Sequence, residues 1–291
     1  LILYMPFDDN TSSTIVYDYT KNNNNGTYTG NAKYNNSGVY GGAISFDGDM
    51  DYVSSGDVNA LDGIPYMTVS AWVKVNSFES LDAIVYKLDS SPGWFLSMYQ
   101  NDDAIMGVTD DGGDYQYYDV VIGINVWQHW VMVYNGSGVD NPTKIRFYLN
   151  GAERGATGGA GSMLTTTPLT SHDVRIGAQS GGGGRYFNGS IDDVMIFNVS
   201  LNSSQILDIY NNQSSRFSSQ GNQTFSNVNV SSAGTENRLN ITLKGYQFNM
   251  SSNISVSINQ DGNYTSLNAS GSAVNLAFSS PADYVNITFN Y

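Results

Sequence analysis

Short runs of apolar and β-branched residues recur along the chain between clusters of Gly, Asn and Asp. They are Gly42–Phe46, Asp51–Val53, Met67–Val75, Ala83–Tyr86, Trp94–Tyr99, Tyr117–Ile122, Trp130–Tyr134, Lys144–Leu149, Asp173–Ile176 and Ile191–Phe197. Many short strands between dense turn signals predict an all-β sandwich or barrel. Asn150-Gly151 ends one run with the pair that favours a tight hairpin. Helix signals are scarce, and the clear one is Asn202–Asn211. There Asn202 and Gln205 have capping-box spacing, and Ile206, Leu207, Ile209 and Tyr210 supply an apolar face. The glycines of Ser180–Gly184 lack the following Lys-Ser/Thr and helix of a phosphate cradle.

The texture changes near Ser214. From Arg216 to Tyr291 there is no Trp, Asn and Ser dominate, and alternation is cleaner: Leu239, Ile241 and Leu243 point one way, Asn240 and Thr242 the other. The runs Thr224–Val230, Arg238–Leu243, Ile254–Ile258, Val274–Phe278 and Tyr284–Tyr291 predict a small Ig-like antiparallel β-domain over 216–291. It follows a sandwich over 1–212 that the helix at 202–211 closes.

Composition narrows the function. Only 13% of residues are charged, and the net charge is −14 with twelve Lys plus Arg. No basic face exists to displace counterions from phosphates, which excludes nucleic acid. Anionic membranes repel such a surface. With no Cys, disulfides, thiol catalysis and Cys-type zinc sites are absent. No run is long enough to span a membrane, and the apolar start Leu1–Phe7 is too short for a signal-peptide core. Without an initiator Met the chain reads as a mature or excised form.

Asn-X-Ser/Thr triplets begin at Asn10, Asn25, Asn35, Asn135, Asn188, Asn198, Asn202, Asn212, Asn222, Asn229, Asn240, Asn249, Asn253, Asn263, Asn268 and Asn286. Sixteen is well above the roughly six that chance gives for this composition, and none has Pro in the middle. Strand alternation alone can place Asn and Ser/Thr two apart, but it can equally use Lys, Glu or Gln, which are rare here. Dense N-glycosylation accounts for both, with covalent glycans replacing charge as the solubilising coat.

Support for catalysis is thin. Glu79, Glu153 and Glu236 are the only glutamates and lie far apart, and most Asp sit in turn-like settings such as Asp47-Gly48-Asp49. His129 and His172 are too few for a His-type zinc site, no nucleophile elbow accompanies them, and His129 reads as structural. Calcium fits better. Asp8-Asp9 and Asp192-Asp193 are not needed for turns, acids within an apolar strand need a partner, and cations are few. Among the aromatics, Trp94, Tyr115 and Tyr117 are candidate platforms for sugar rings, although core packing explains most aromatic residues.

The stretches LILYMPFDDN, VYGGAISFDGDMDYV, MTVSAWVKV, VWQHWVMVYNG, IRFYLNG and GSIDDVMIFNVSLNSSQILDIYNN, in that order, resemble the laminin-G-like, concanavalin A-like jelly-roll superfamily over about residues 1–212. The resemblance implies two curved antiparallel sheets of six or seven strands each, with a concave face. It also implies a structural Ca2+ at the sandwich edge. The ligands carried over are Asp8 (side chain or carbonyl), the carbonyl of Gly41 or Gly42, and Asp192, with Asp193 facing the other way. The Glu-X-Asp-X-X-Glu strand motif of glycosidases on this fold is absent, which argues against inherited hydrolysis. The second domain is similar to β-domains appended in archaeal surface proteins.

The reading is a non-enzymatic, extracellular or cell-surface structural glycoprotein module, N-glycosylated and calcium-stabilised. Its partners are copies of itself or other surface proteins, in an assembly or filament. Strands at both ends, Leu1–Phe7 and Val285–Tyr291, are taken as free to pair with a neighbouring sheet. Two alternatives stand beside it: a glycan-binding adhesin using the concave face, and, less favoured, a polysaccharide hydrolase.

Overall fold

Val69, Ala71 and Val73 of one strand meet Trp94, Leu96 and Met98 of another in a single core, and the two sheets carrying them make up the first part of the protein. The structure is a computed structural model. It describes residues 1–9, 14–39, 41–77, 81–89, 92–99, 103–110, 113–182 and 184–214, then the strand backbone at 232–233, 236–239, 254–260, 263–269, 276–278 and 284–289. The chain divides into two units, Leu1–Phe217 and Ser218–Tyr291.

The strands of the first unit are β1 (Leu3–Met5), β2 (Ile15–Val16), β3 (Gly26–Thr29), β4 (Lys33–Asn35), β5 (Ala43–Asp47), β6 (Tyr52–Ser54), β7 (Tyr66–Val75), β8 (Leu81–Lys87), β9 (Gly93–Tyr99), β10 (Asp103–Thr109), β11 (Tyr115–Asp119), β12 (Trp127–Asn135), β13 (Ile145–Leu149), β14 (Ala152–Arg154), β15 (Gly158–Ala160), β16 (Arg175–Ile176) and β17 (Asn188–Phe197). Two helices join them, α1 (Asn141–Lys144) and α2 (Ser203–Ser214). An eight-stranded sheet runs β14-β13-β12-β7-β17-β5-β4, with β1 also on β17, and a nine-stranded sheet runs β15-β11-β10-β9-β8-β16-β6-β3-β2. The strand pairs are antiparallel, as expected of a jelly-roll sandwich. The sheets are wider than the expected six or seven strands. The extra strands, such as β2, β14, β15 and β16, are two or three residues long, too short to show a period in sequence.

The core follows from alternation. Met67, Val69, Ala71, Val73 and Val75 of β7 point inward, as do Trp130, Met132 and Tyr134 of β12. A fully buried Val or Met among them contributes roughly 1.5–3 kcal/mol relative to exposure. The other face of β7 is buried too. Thr68, Ser70 and Trp72 lie under the segment after β17 and under α2: Thr68 donates to the Val199 carbonyl (2.8 Å), and the Trp72 ring stacks on Tyr210 (5.7 Å). Helix α2 opens as its residues predict. Gln205 N–H donates to Asn202 Oδ1, and Asn202 N–H donates to Gln205 Oε1, both at 3.0 Å. It runs to Ser214, past the predicted end at Asn211, because Gln213 turns back to the sheet and is buried there. The Asn150-Gly151 hairpin joins β13 to β14 with both residues at positive φ (52° and 77°), as the mirror-image turn requires.

Strand β10 was hidden in the sequence by Gly107. A side chain there would strike the Phe95 ring and the Asp114 carbonyl, so the strand carries a glycine where its neighbours carry bulk. Buried Lys87 ties β8 to the connection between β6 and β7 through Asp62 (2.6 Å) and Asp57 (2.9 Å). The N-terminal segment is not free for a neighbour: Leu3, Tyr4 and Met5 are buried, and β1 is paired with β17.

In the second unit the described strands are β18 (Ser232–Ala233), β19 (Glu236–Leu239), β20 (Ile254–Gln260), β21 (Asn263–Ala269), β22 (Leu276–Phe278) and β23 (Tyr284–Phe289). They form two three-stranded sheets, β18-β19-β22 and β21-β20-β23. The predicted strand Thr224–Val230 lies outside the described residues.

Candidate functional site

Two places in the first unit collect the residues singled out by sequence. One is the seam where β1 leaves β17 and β5 joins it. Along one side of β17, β5 pairs with Asn188–Ile191 and β1 with Val194–Ile196, so Asp192 and Asp193 fall in the gap between them. On the other side, the β17–β7 register shifts between Asp192 and Met195. This is a β-bulge, with Asp193 left-handed at φ 48°. Ile191 and Val194 are both core residues, so the extra residue leaves both carboxylates on the opposite face. The expectation that Asp193 faces away from Asp192 is therefore corrected, because a bulge suspends strict alternation.

The seam also gathers Asp8, just past β1, and Gly41 and Gly42, just before β5. Val39 N–H donates to Asp192 Oδ2 and Asp193 N–H to Asp192 Oδ1, both at 2.7 Å. Gly42 N–H donates to Asp8 Oδ1 (3.0 Å), and the Tyr4 hydroxyl donates to Asp193 Oδ1 (2.8 Å). Gly41, at φ 65°, has no room for a Cβ because Asp8 Oδ1 occupies that space. Burial, then the charges of Asp193 and Asp8, push the Asp192 carboxyl well above the usual carboxylate range; the opposing pulls come from backbone N–H groups. Burial, then the charges of Asp8, Asp192 and Asp9, raise the Tyr34 phenol.

A hard cation bound here would supply positive charge to these acids. Among the described residues no set of three acidic or imidazole side chains converges on one point. An ion here would therefore take the carboxylates of Asp8 and Asp192 together with carbonyls of the Gly41–Gly42 turn. Asp192 is fully buried and held by two backbone N–H groups. It has no access to solvent for acid–base work.

The second place is the outer face of the nine-stranded sheet. Trp94 is a correction: it is fully buried in the core between the sheets and cannot meet a sugar. Its neighbour Phe95 takes the outer face, where it stacks on Tyr86 (5.4 Å, 24°). Inward Tyr118 fixes the alternation of β11, so Tyr115 and Tyr117 face outward. Their rings are 6.4 Å apart at 33°. Both are half-buried against a cluster of Ala83, Tyr86, Leu88, Phe95 and Ile105.

His129 takes no part in either place. His129 is fully buried, Nε2 within 2.8 Å of Ser70 Oγ, and burial drives its pKa down to about 3. Of the triplet asparagines, Asn25, Asn198 and Asn202 are exposed, and Asn135 is half-buried. Asn35 differs, because its amide nitrogen donates into the sheet to the hydroxyls of Ser45 and Ser190. Asn188 turns its nitrogen to the Asp47 carbonyl (3.1 Å). Asn212 lies in α2, Asn263 and Asn268 on β21 and Asn286 on β23. Asn10, Asn222, Asn229, Asn240, Asn249 and Asn253 lie outside the described residues.

Residues 46–207 match the profile of the concanavalin A-like lectin/glucanases superfamily. No curated protein matches the chain. Among solved structures the chain is similar to domain 4 of AbnA, a GH43 extracellular arabinanase from Geobacillus stearothermophilus, in complex with arabinotriose. That likeness has 20% identity and a TM-score of 0.55, and covers 72% of this chain and 98% of that one. It is also similar to the binding domain of Paraclostridial Mosquitocidal Protein 1 (16% identity, TM-score 0.55, 73% and 52% covered). The receptor binding domain of a botulinum neurotoxin C/D mosaic serotype is matched equally (16%, 0.55, 73% and 51%). The chain spans about half the length of these last two. At such identities the likeness speaks for the fold.

Proposed function

The chain belongs to the concanavalin A-like lectin/glucanase superfamily, and on that footing we propose that it is a non-enzymatic, extracellular module that binds glycans on the outer face of its nine-stranded sheet. The tilted pair Tyr115 and Tyr117 carries the reading. Aromatic rings outside the core, half-exposed on a rigid sheet, offer an apolar surface to the C–H face of a sugar ring, and their hydroxyls remain available for hydrogen bonds. The arabinotriose complex of the similar arabinanase domain supports a sugar ligand for this type of sandwich.

Calcium belongs to the proposal as a brace. Asp8, Asp192 and the carbonyls of Gly41 or Gly42 would hold it, and its charge would offset the acids crowded in the seam. Covalent N-glycans on the exposed asparagines belong to it as well, in place of surface charge. Assembly with copies of itself loses one support, since β1 is already paired within the unit.

A glycan array probed with the full chain tests the reading. Binding is expected with wild type and at least ten-fold loss with Tyr115→Ala or Tyr117→Ala, with the β-fold retained by circular dichroism. No glycan bound, with calcium or with chelator, ends it.

A further inference from the structure

The outer face of the nine-stranded sheet carries a charge that the sugar-binding reading leaves unused. The chain has twelve Lys plus Arg against 26 acids, and several of the described cations take an acid or a carbonyl. Lys87 takes Asp57 and Asp62, Arg146 is near Glu153, and Arg175 is near Asp173 and donates to the Gln179 carbonyl. Lys144 donates to the Met163 carbonyl. Arg185 does neither. It is half-buried and makes one long hydrogen bond, Nη1 to the Tyr86 hydroxyl at 3.4 Å, with no carboxylate within ion-pair distance among the described residues.

Its position is specific. Tyr86 is fully buried and stacks on Phe95, and both belong to the outer-face cluster against which Tyr115 and Tyr117 pack. Arg175 is the cross-strand partner of Tyr86 and lies 4.2 Å above the Tyr52 ring. The Arg175 guanidinium is thus turned to Tyr52 and Asp173, and Arg185 is the cation at the Tyr86 hydroxyl, on which the buried Asp82 carboxylate also acts. The Asp89 side chain lies in the same loop region, against Gly181, without pairing with Arg185. An unpaired guanidinium beside a hydrophobic face is a planar fork of N–H donors suited to a carboxylate.

We infer that the glycan taken by this face is acidic, an oligosaccharide carrying uronic-acid carboxylates, with Arg185 receiving a carboxylate while Tyr115 and Tyr117 hold ring faces further along. From Tyr86 on β8 to Tyr115 on β11 is three strand spacings, about 14 Å, which calls for an oligosaccharide rather than a single sugar. Arg185 supplies specificity by attraction at one end, and the tyrosines supply contact that neutral and acidic sugars share. The inference rests on the outer-face reading above and goes further only in the ligand's charge.

The test is an array of neutral trisaccharides beside trisaccharides of the corresponding uronic acids, such as galactotriose beside trigalacturonate, probed with wild type, Arg185→Gln and Arg185→Lys. Wild type should favour the acidic member by ten-fold or more, with the preference shrinking as salt rises. Arg185→Gln should remove the preference while leaving binding of the neutral member and the melting temperature unchanged. Arg185→Lys should restore part of it. Equal binding of both members by wild type, or a preference that survives Arg185→Gln, overturns the inference and leaves the outer-face reading standing. No binding of either member of any pair overturns both.

Discussion

The Trp72 indole N–H donates to the side-chain carbonyl of Gln213 over 2.9 Å, joining the middle of β7 to the last turn of α2. Trp72 is also stacked on Tyr210 and lies against His129 (5.1 Å). Together these contacts make α2 the cover of the eight-stranded sheet's outer face. Gln213→Ala removes the acceptor from a buried N–H, which costs about 1–3 kcal/mol. The urea midpoint should fall accordingly with an unchanged slope. A midpoint equal to wild type would mean that the helix end contributes nothing to the cover.

His129 makes the same cover sensitive to acid. Burial lowers its pKa from 6.5 to about 3. The unfolded chain therefore takes up a proton that the folded chain refuses. The stability contributed by neutral His129 is present in full above pH 6.5, declines as pH falls towards about 3, and changes no further below that. The slope in this window approaches about 1.4 kcal/mol per pH unit. Comparing urea stability of wild type and His129→Gln between pH 6.5 and 4.5 checks it. The difference between the two curves should shrink with falling pH, and parallel curves would refute the account.

Calcium should raise the melting temperature of the wild type, because an ion bound only by the folded state stabilises it, by about 2.7 kcal/mol at a concentration one hundred times Kd. Asp192→Ala is expected to lose that dependence. Identical wild-type melting curves in calcium and in chelator would remove calcium from the description.

Glycan occupancy should follow the direction of the amide nitrogen. Exposed Asn198 and Asn202 are expected to be modified, and Asn25 likewise, since its Oδ1 takes the Asp18 N–H (2.8 Å) and its nitrogen is left for the sugar. Asn35, whose nitrogen donates to two hydroxyls within the sheet, should be unmodified. Intact glycopeptide mass spectrometry on protein from its native host decides; a modified Asn35, or unmodified Asn198 and Asn202, contradicts the rule.

Much of the fold could be read from the chain because long strands announce themselves. Met67–Val75 and Ile191–Phe197 carry enough apolar residues to be seen, and the Asn202–Gln205 box marks its helix. Strands of two or three residues, such as β16, carry no period, and β10 was masked by the glycine that makes room for Phe95. In the seam, Asp8 and Asp192 were identifiable as acids without a turn to serve, but the direction of Asp193 was not. A bulge is a property of pairing with β7 and leaves no mark on the residues themselves. Trp94 was misplaced by one position: strand alternation decides between it and Phe95, and only the register shows which one faces the core.

The placement of β17 has a kinetic side. It lies in the middle of the eight-stranded sheet, between β7 on one side and β1 and β5 on the other. Tyr4 and Asp193, which meet there, are 189 residues apart in the chain. The sheet therefore cannot close while the chain is growing: β1, β5 and β7 must wait until nearly the whole unit has been made. Loop closure across such distances makes folding slow. Until β17 arrives, the edges of β1, β5 and β7 that face it stay unpaired and open to other chains, so the vulnerable period of this unit is set by how soon β17 emerges.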